Sequence, residues 1–310
     1  MIAAASPGFR VRRGILAART GIQARRVARI DEQCSDLAVT AARRALDEAG
    51  VRIADIDLLI FAAASQDLIE PATAHIVQHK LGTTCQVLDV KNACNSFLNG
   101  IQVAESLIQS GSAHNALVVT GEICSRAVRW DVRSADEFRQ HFPSYTMGDA
   151  GAAALLTSST DGRGVRYRSF AARSRHWPLA TIPSGGSMHP RGDEFAYLHG
   201  DGPALKSAFV AHGPTILRGM LEDAELDFDD MDHIFVHQVG VPYHAEMLVA
   251  TGIPAHKVRG TVADYGNMAS ATIPVAHAMA VADGTVRHGD RVMWIGMASG
   301  ISVALFIIDV

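Results

Sequence analysis

Leu88-Asp-Val-Lys-Asn-Ala-Cys94-Asn-Ser-Phe-Leu-Asn-Gly100 holds the change of period that decides the fold. Cys85 to Val90 reads as a strand, and Lys91-Asn92-Ala93 as the turn that ends it. Phe97, Leu98, Ile101, Ala104, Leu107 and Ile108 then recur at the three-and-four spacing of one apolar helix face. Gly111 stands where such a helix takes a C-terminal glycine. Cys94 is thereby placed at a strand-to-helix turn. The dipole and free N–H groups of a helix N-terminus favour an anion, so the expectation is a thiol that ionises more readily than a free cysteine, in a place suited to a thiolate nucleophile. A small buried residue in a packed turn is the other reading of the same position.

Working outward, 310 residues are enough for two core layers or two fused units, and 48% apolar against 19% charged residues is a globular composition with a large core. A net charge of −4 argues against nucleic acid as a partner. No stretch approaches the length of a membrane span, and the N-terminus turns arginine-rich rather than apolar as a signal peptide would be. Cys34, Cys85, Cys94 and Cys124 have no zinc-type spacing, so no metal is expected, and a reducing cytoplasm suits them. Arg10, Arg12, Arg13, Arg19, Arg25, Arg26 and Arg29 all precede the first acidic residue, Asp31. Such a cluster fits either a phosphorylated or acidic carrier or a solvated face paired with acids elsewhere.

Strand and helix signals alternate along the chain. Helices are expected over 35–49, 72–81 and 204–224, and buried strands over 56–63, 116–120 and 152–157. Residues 161–202 are rich in glycine, proline, serine and arginine and read as loops with short strands. Asp55-Ile-Asp-Leu-Leu-Ile-Phe-Ala-Ala-Ala-Ser65 is echoed by Asp230-Met-Asp-His-Ile-Phe-Val-His-Gln-Val-Gly240, and Gly151-Ala-Ala-Ala-Leu-Leu-Thr157 by Ile301-Ser-Val-Ala-Leu-Phe-Ile307. Two similar α/β halves imply a site between them, where strand ends and helix N-termini converge.

Three further segments carry polar residues at such ends. His237 follows the apolar run Ile234-Phe-Val, Asn267 lies in Tyr265-Gly-Asn-Met before another helical pattern, and Ser299 sits in the tight turn Ala298-Ser299-Gly300, able to offer a backbone N–H. Taken singly, a strand-end histidine and a turn asparagine are ordinary structural residues. Taken in order, Arg19-Thr-Gly-Ile22, Asn92-Ala-Cys94, Met147-Gly-Asp149-Ala-Gly-Ala-Ala, Val236-His237-Gln238 and Tyr265-Gly-Asn267 resemble the motifs of the thiolase superfamily, in particular its ketoacyl-ACP synthase III branch, across nearly the whole chain. The resemblance implies an α/β thiolase fold, a duplicated five-layer αβαβα. Its N-terminal half would span 1–160, a connecting region 161–203, and its C-terminal half 204–310. It implies an acyltransferase with Cys94, His237 and Asn267 as catalytic triad and an oxyanion hole from the N–H groups of Cys94 and Ser299. Arg19 would help bind the carrier. The substrate would be acyl-CoA or acyl-ACP, with no metal or redox cofactor.

The residue types suit that chemistry. Cys94 would take an acyl group from a thioester. The carbanion of a second thioester would then form a carbon–carbon bond, with His237 Nε2 and Asn267 Nδ2 as donors to its enolate oxygen. Decarboxylating a malonyl group needs no base, whereas an unactivated α-carbon does. Glu70, in Ser65-Gln-Asp-Leu-Ile-Glu70-Pro71-Ala-Thr-Ala74, resembles the base of OleA-type enzymes of olefin and β-lactone biosynthesis. In those enzymes it crosses the dimer interface. Burial there would raise its pKa. A surface glutamate before a helix is the bland alternative. The chain also departs from the synthase III pattern: only 18 residues precede Arg19, where a strand and helix are usual, and Ile15 stands where a tryptophan usually stacks on adenine. Four readings stay open: a non-decarboxylative Claisen condensation of two fatty acyl thioesters, a decarboxylative synthase using malonyl-ACP, acyl transfer to an oxygen or nitrogen nucleophile, and one subunit of a heterodimer. The expected partners are a second copy or a related subunit, with no nucleic acid and no membrane.

Overall fold

The apolar runs and helical stripes assemble into two open sheets with helices outside and between them. The computed structural model describes residues 2–6, 8–159 and 161–310; the end residues of the first expected unit, 1 and 160, lie outside these. In chain order the helices are α1 (Ile2–Ala5), α2 (Ile15–Thr20), α3 (Cys34–Ala49), α4 (Thr73–Leu81), α5 (Ser96–Gln109), α6 (Ala135–Gln140), α7 (Gly202–Ala224), α8 (Val241–Thr251), α9 (Val262–Tyr265) and α10 (Thr272–Ala282). The strands are β1 (Leu58–Ala62), β2 (Gln86–Val90), β3 (Ala116–Ile123), β4 (Asp149–Leu156), β5 (Gly164–Ala172), β6 (Ala180–Thr181), β7 (His199–Gly200), β8 (His233–Val236), β9 (Arg291–Ala298) and β10 (Ser302–Asp309).

The first sheet has the order β2-β1-β3-β4 and the second β5-β10-β9-β8. β1 runs parallel to β2 and β3, and β4 antiparallel to β3. β8 likewise runs parallel to β9, with β10 antiparallel to β9. An isolated parallel bridge between Ile234 and Val258 lies beside β8 as β2 lies beside β1. The echo heard in the sequence is therefore a repeated topology, β1/β8, β3/β9 and β4/β10.

Alternation along the strands sorts side chains into three cores. From β1, Leu58, Ile60 and Ala62 join Phe97, Leu98, Ile101 and Ala104 of α5 in a central core, whereas Leu59 and Phe61 face Ala38 and Ala42 of α3 and Val77 of α4. From β10, Ala304 and Phe306 enter the central core, whereas Val303, Leu305 and Ile307 pack with Phe209, Leu217 and Met220 of α7 and Met247 and Leu248 of α8. The result is α3/α4, sheet, α5/α10, sheet, α7/α8: five layers.

Two features differ from the sequence reading. Residues 164–172, inside the segment read as a connecting region, form β5, an edge strand of the second sheet paired antiparallel to β10. Its alternation is masked by Arg166 and Arg168, which pair with Asp309 of β10 and Glu105 of α5. The first sheet has no counterpart to β5 outside β4 among the described residues, and the segment before Arg19 holds α1 and the start of α2 rather than a strand. α7 starts two residues earlier than expected, because the Asp201 side chain accepts from the Ala204 N–H at 2.9 Å and Pro203 fits the first turn. No helix among the described residues is long and apolar enough to cross a membrane.

Close approach of α3 to β3 depends on Gly121, where a Cβ would lie 1.9 Å from the Cys34 carbonyl oxygen. Gly219, inside α7, has nothing within 4 Å of a built Cβ. Urea denaturation is expected to show Gly121→Ala destabilised by about 3 kcal/mol or more, and Gly219→Ala stabilised by about 0.5–1 kcal/mol. Equal effects of the two substitutions would refute this account of the layer contact.

Candidate active site

Cys94 sits between β2 and α5 in a turn stiffened from both sides. Ala93 takes a left-handed φ of 47°, a conformation an alanine holds only when its surroundings impose it. The Ser96 hydroxyl accepts from the Asn92 N–H at 2.8 Å and donates to the Ala93 carbonyl at 2.7 Å. Asn95 Nδ2 donates to Ser302 Oγ at 2.9 Å, so the turn of the first half is tied to the start of β10 in the second. That approach needs Gly296, where a Cβ would lie 2.2 Å from Asn95 Oδ1. Ser299 lies in the β9–β10 hairpin just before Ser302, with Gly300 at φ 131°. The N–H groups of Cys94 and Ser299 donate no hydrogen bond among the described residues.

His237 emerges from the C-terminal end of β8, its N–H bonded to the Ile295 carbonyl of β9 at 3.0 Å. Gln238 serves the backbone: its Oε1 accepts from the Thr261 and Val262 N–H groups and its Nε2 donates to the Arg259 carbonyl. This fixes the segment that leads through α9 to Asn267. Asn267 is held by its backbone to Thr146 and Gly148, at 2.8 and 2.9 Å. Its Oδ1 accepts from the Ala269 N–H at 3.0 Å, which orients the amide and leaves Nδ2 without a partner among the described residues. The Met147-Gly-Asp149 motif explains itself here. A Cβ on Gly148 would lie 2.1 Å from the Tyr265 carbonyl oxygen, and the Asp149 carboxylate accepts from Ala28 and Ser125. Cys94, His237 and Ser299 thus all follow the C-terminal ends of strands, β2, β8 and β9, while Asn267 precedes α10 as Cys94 precedes α5.

The electrostatics reverse one expectation. Cys94 was expected to ionise easily, but burial, followed by the charge of Glu122, pushes its thiol up to about 12. The Cys94 N–H beside its own sulfur acts in the expected direction and is outweighed. His237 is pushed down to about 4, by burial first and then by His244 of α8, itself down to about 4 through burial. The resting pair is a neutral thiol and a neutral imidazole. A neutral ring keeps one N–H donor.

The remaining expected residues lie outward. Glu70 is exposed in the loop between β1 and α4, with Leu68 and Ile69 exposed beside it at 51% and 67%. The burial expected for its carboxyl is not supplied by this chain alone. Arg19 is exposed, its guanidinium 5.9 Å from the Phe142 ring centroid. The arginine cluster divides: Arg25 donates to the Tyr145 and Met147 carbonyls, Arg26 lies over Tyr265, and Arg29 pairs with Asp31 and Glu32. Arg10, Arg12, Arg13 and Arg19 stay exposed.

Sequence reasoning missed Glu122, which has no solvent exposure and whose charge reaches Cys94. A carboxylate inside the apolar run Ala116-Leu-Val-Val-Thr-Gly-Glu-Ile123 was the available signal. The four cysteines are free thiols, and no cluster of three metal-ligating side chains occurs among the described residues. A groove of about 570 Å³ along the C-terminal part of α7, lined by Leu217, Leu221, Phe228 and Thr251 among others, contains none of these site residues.

Residues 88–175 match the family model for 3-oxoacyl-acyl-carrier-protein synthase III, and residues 221–310 match that for its C-terminal region. The beta-ketoacyl-acyl-carrier-protein synthase III of Neisseria gonorrhoeae is 34% identical over 287 residues, 92% of this chain and 87% of that protein. Among solved structures, Xanthomonas campestris OleA with bound lauric acid and lauroyl-CoA superposes with a TM-score of 0.87 at 27% identity, over 96% of this chain and 89% of that one. The 3-oxoacyl-acyl-carrier-protein synthase III of Aquifex aeolicus superposes at 0.85 and 27%, over 100% and 94%.

Burial also pushes His277 down to about 4, against a usual 6.5 that the unfolded chain retains. Between these values the unfolded chain takes up protons at His237, His244 and His277 that the folded chain refuses. Their stabilisation is therefore whole above pH 6.5 and lost as pH falls towards 4, by at most about 3 kcal/mol for each ring. The urea midpoint is expected to drop through that window, and less steeply in His277→Gln. A flat profile would contradict the neutral assignment.

Proposed function

This chain belongs to the 3-oxoacyl-acyl-carrier-protein synthase III family and is an acyl-transferring condensing enzyme, and we propose that it joins two fatty acyl thioesters by a non-decarboxylative Claisen condensation. Cys94 exchanges its S–H for the acyl group of the first thioester, and the departing carrier sulfur takes the proton. A second thioester then loses an α-proton to Glu70 of the partner subunit. Its carbanion attacks the Cys94 thioester carbonyl, a carbon–carbon bond forms, and the Cys94 sulfur leaves and is reprotonated. The product is a β-ketoacyl thioester.

Each charge has a waiting donor. The oxyanion on the Cys94 thioester takes the unengaged N–H groups of Cys94 and Ser299, worth several kcal/mol when preorganised. The enolate oxygen takes Asn267 Nδ2, freed by the Ala269 N–H on Oδ1, and Nε2–H of a His237 held neutral. A neutral imidazole keeps that proton instead of giving it up to the enolate outright.

The observation that carries the reading is where Glu70 stands. Ala64 and Ser65 of its loop are anchored by Glu122 beside Cys94, and five residues later Glu70 projects from the chain between exposed apolar neighbours. A carboxylate in that position reaches a hydrophobic acyl site in a second subunit docked along the same face, within reach of an α-proton there. β2, at the edge of the first sheet and partly exposed, lies beside it. The likeness to OleA supports the same reading. A decarboxylative reaction with malonyl-ACP is the second reading, favoured by the Neisseria relative. The partner subunit is a second copy or a related chain, and the exposed Arg10, Arg12, Arg13 and Arg19 suit a phosphorylated or acidic carrier.

Purified protein given myristoyl-CoA alone is expected to yield a carbon–carbon-coupled product by mass spectrometry. Glu70→Ala is expected to lose that product by about 10²-fold or more while Cys94 is still acylated. Acylated Cys94 with coupling only when malonyl-ACP is added would replace the first reading by the second.

A further inference from the structure

Glu122 lies near the C-terminal end of β3 with no exposure to solvent. Buried carboxylates are matched by a cation or saturated by hydrogen bonds. Here no Lys, Arg or His donates to it among the described residues, and five other donors converge. Oε1 accepts from the Ala64 N–H at 2.8 Å, the Ser270 N–H at 3.3 Å and the Ser270 hydroxyl at 2.5 Å. Oε2 accepts from the Ser65 N–H at 2.9 Å and the Cys124 thiol at 3.6 Å. With its hydrogen on Glu122, the Ser270 hydroxyl accepts from Thr120 Oγ1 at 2.7 Å. One group therefore fastens the loop that carries Glu70, the turn that carries Asn267 three residues before Ser270, and Cys124.

We propose that Glu122 is a positioning residue of the condensing site, clamping the Asn267 turn of one half to the Glu70 loop of the other. Glu122 presents only acceptors to its five donors. Its charge is also, after burial, the second cause that pushes the Cys94 thiol up, which gives the clamp a charge role that labelling reads. Ser270 follows Ala269, at φ 46°, and the clamp lies next to that strained residue, whose N–H orients the Asn267 amide. A thiol also resists adventitious alkylation and oxidation, and becomes nucleophilic only where a carbonyl oxygen takes up charge at the N–H pair. The groups coupled electrostatically to Cys94 among the described residues are Glu122 and Cys124, both from β3 and the segment after it. His237, down to about 4, stays neutral from pH 7 upward.

The inference rests on Cys94 as the acyl acceptor, so the test reads charge and turnover separately. Wild type, Glu122→Gln, Glu122→Asp and Ser270→Ala are compared by iodoacetamide labelling of the Cys94 peptide from pH 7 to 10 and by the rate of condensed-product formation from myristoyl-CoA, alone or with malonyl-ACP. Glu122→Gln is expected to label Cys94 about tenfold faster at pH 8 yet lose about 10²-fold in kcat, with KM within about threefold. Glu122→Asp keeps the charge and falls short of the donors, so labelling stays slow while kcat falls. Ser270→Ala, which removes a single donor from the second half, is expected to lose about tenfold in kcat. Wild-type labelling in folded Glu122→Gln overturns the charge role, and wild-type kcat in the Asp and Ser270 variants overturns the clamp. Should Glu122→Gln not fold, the Asp and Ser270 variants decide the clamp, and labelling in Glu122→Asp at the Gln rate expected above overturns the charge role. Failure of every thioester to acylate wild-type Cys94 would sink the proposed function, and labelling would still judge Glu122.

Discussion

Everything in this molecule depends on two helices buried between two sheets. α5 and α10 have apolar partners on both sides: Phe97, Leu98, Ile101 and Ala104 of one, and Ile273, Ala276 and Ala280 of the other, share a core with β1, β3, β9 and β10. A helix enclosed in this way is apolar around much of its girth, and small residues must stand where strands press closest. Gly100 of α5 is such a place, since a Cβ there would lie 2.6 Å from Ala62 and 2.9 Å from Val118. Because the two halves repeat one topology, the N-termini of both central helices arrive at the seam between the sheets. Cys94 leads into α5, and Asn267 into α10.

The seam sets the chemistry. It is largely buried, so ionising the thiol is costly and His237 gives up its proton easily. The same burial makes each fixed donor worth more than it would be in solvent. Strain is concentrated there too. Ala93 and Ala269, one before each helix, both take left-handed φ values, 47° and 46°. The pseudo-symmetric pair of alanines bends the backbone sharply enough to aim Cys94 and to orient Asn267, and the packed sheets hold both bends in place.

Much of the fold was legible because the strands are short apolar runs and the helices are capped by recognisable residues. The helix expected over 35–49 spans Cys34–Ala49, that expected over 72–81 spans Thr73–Leu81, and the strand expected from Cys85 begins at Gln86. β5 was hidden because an edge strand buries little on its outer side and carries arginines among glycines. Among the candidate site residues, Cys94, His237, Asn267 and Ser299 were visible as polar residues at the ends of apolar runs. Glu122 was not, since its role comes from donors far apart in the chain: Ala64, Ser65 and Ser270. The direction of the Cys94 shift was misread for the same reason. A helix start is local and can be read in sequence, while burial and a facing carboxylate are products of tertiary packing.

What separates this enzyme's two readings is the fate of the α-hydrogens of its acyl substrate. Myristoyl-CoA carrying two deuteriums at the α-carbon, with malonyl-ACP also present, measures that directly. Condensation through Glu70 predicts a coupled product lacking one deuterium at the carbon that forms the new bond, with a slowed rate relative to the unlabelled thioester. A product that keeps both α-deuteriums and gains only the malonyl-derived carbons would contradict the account.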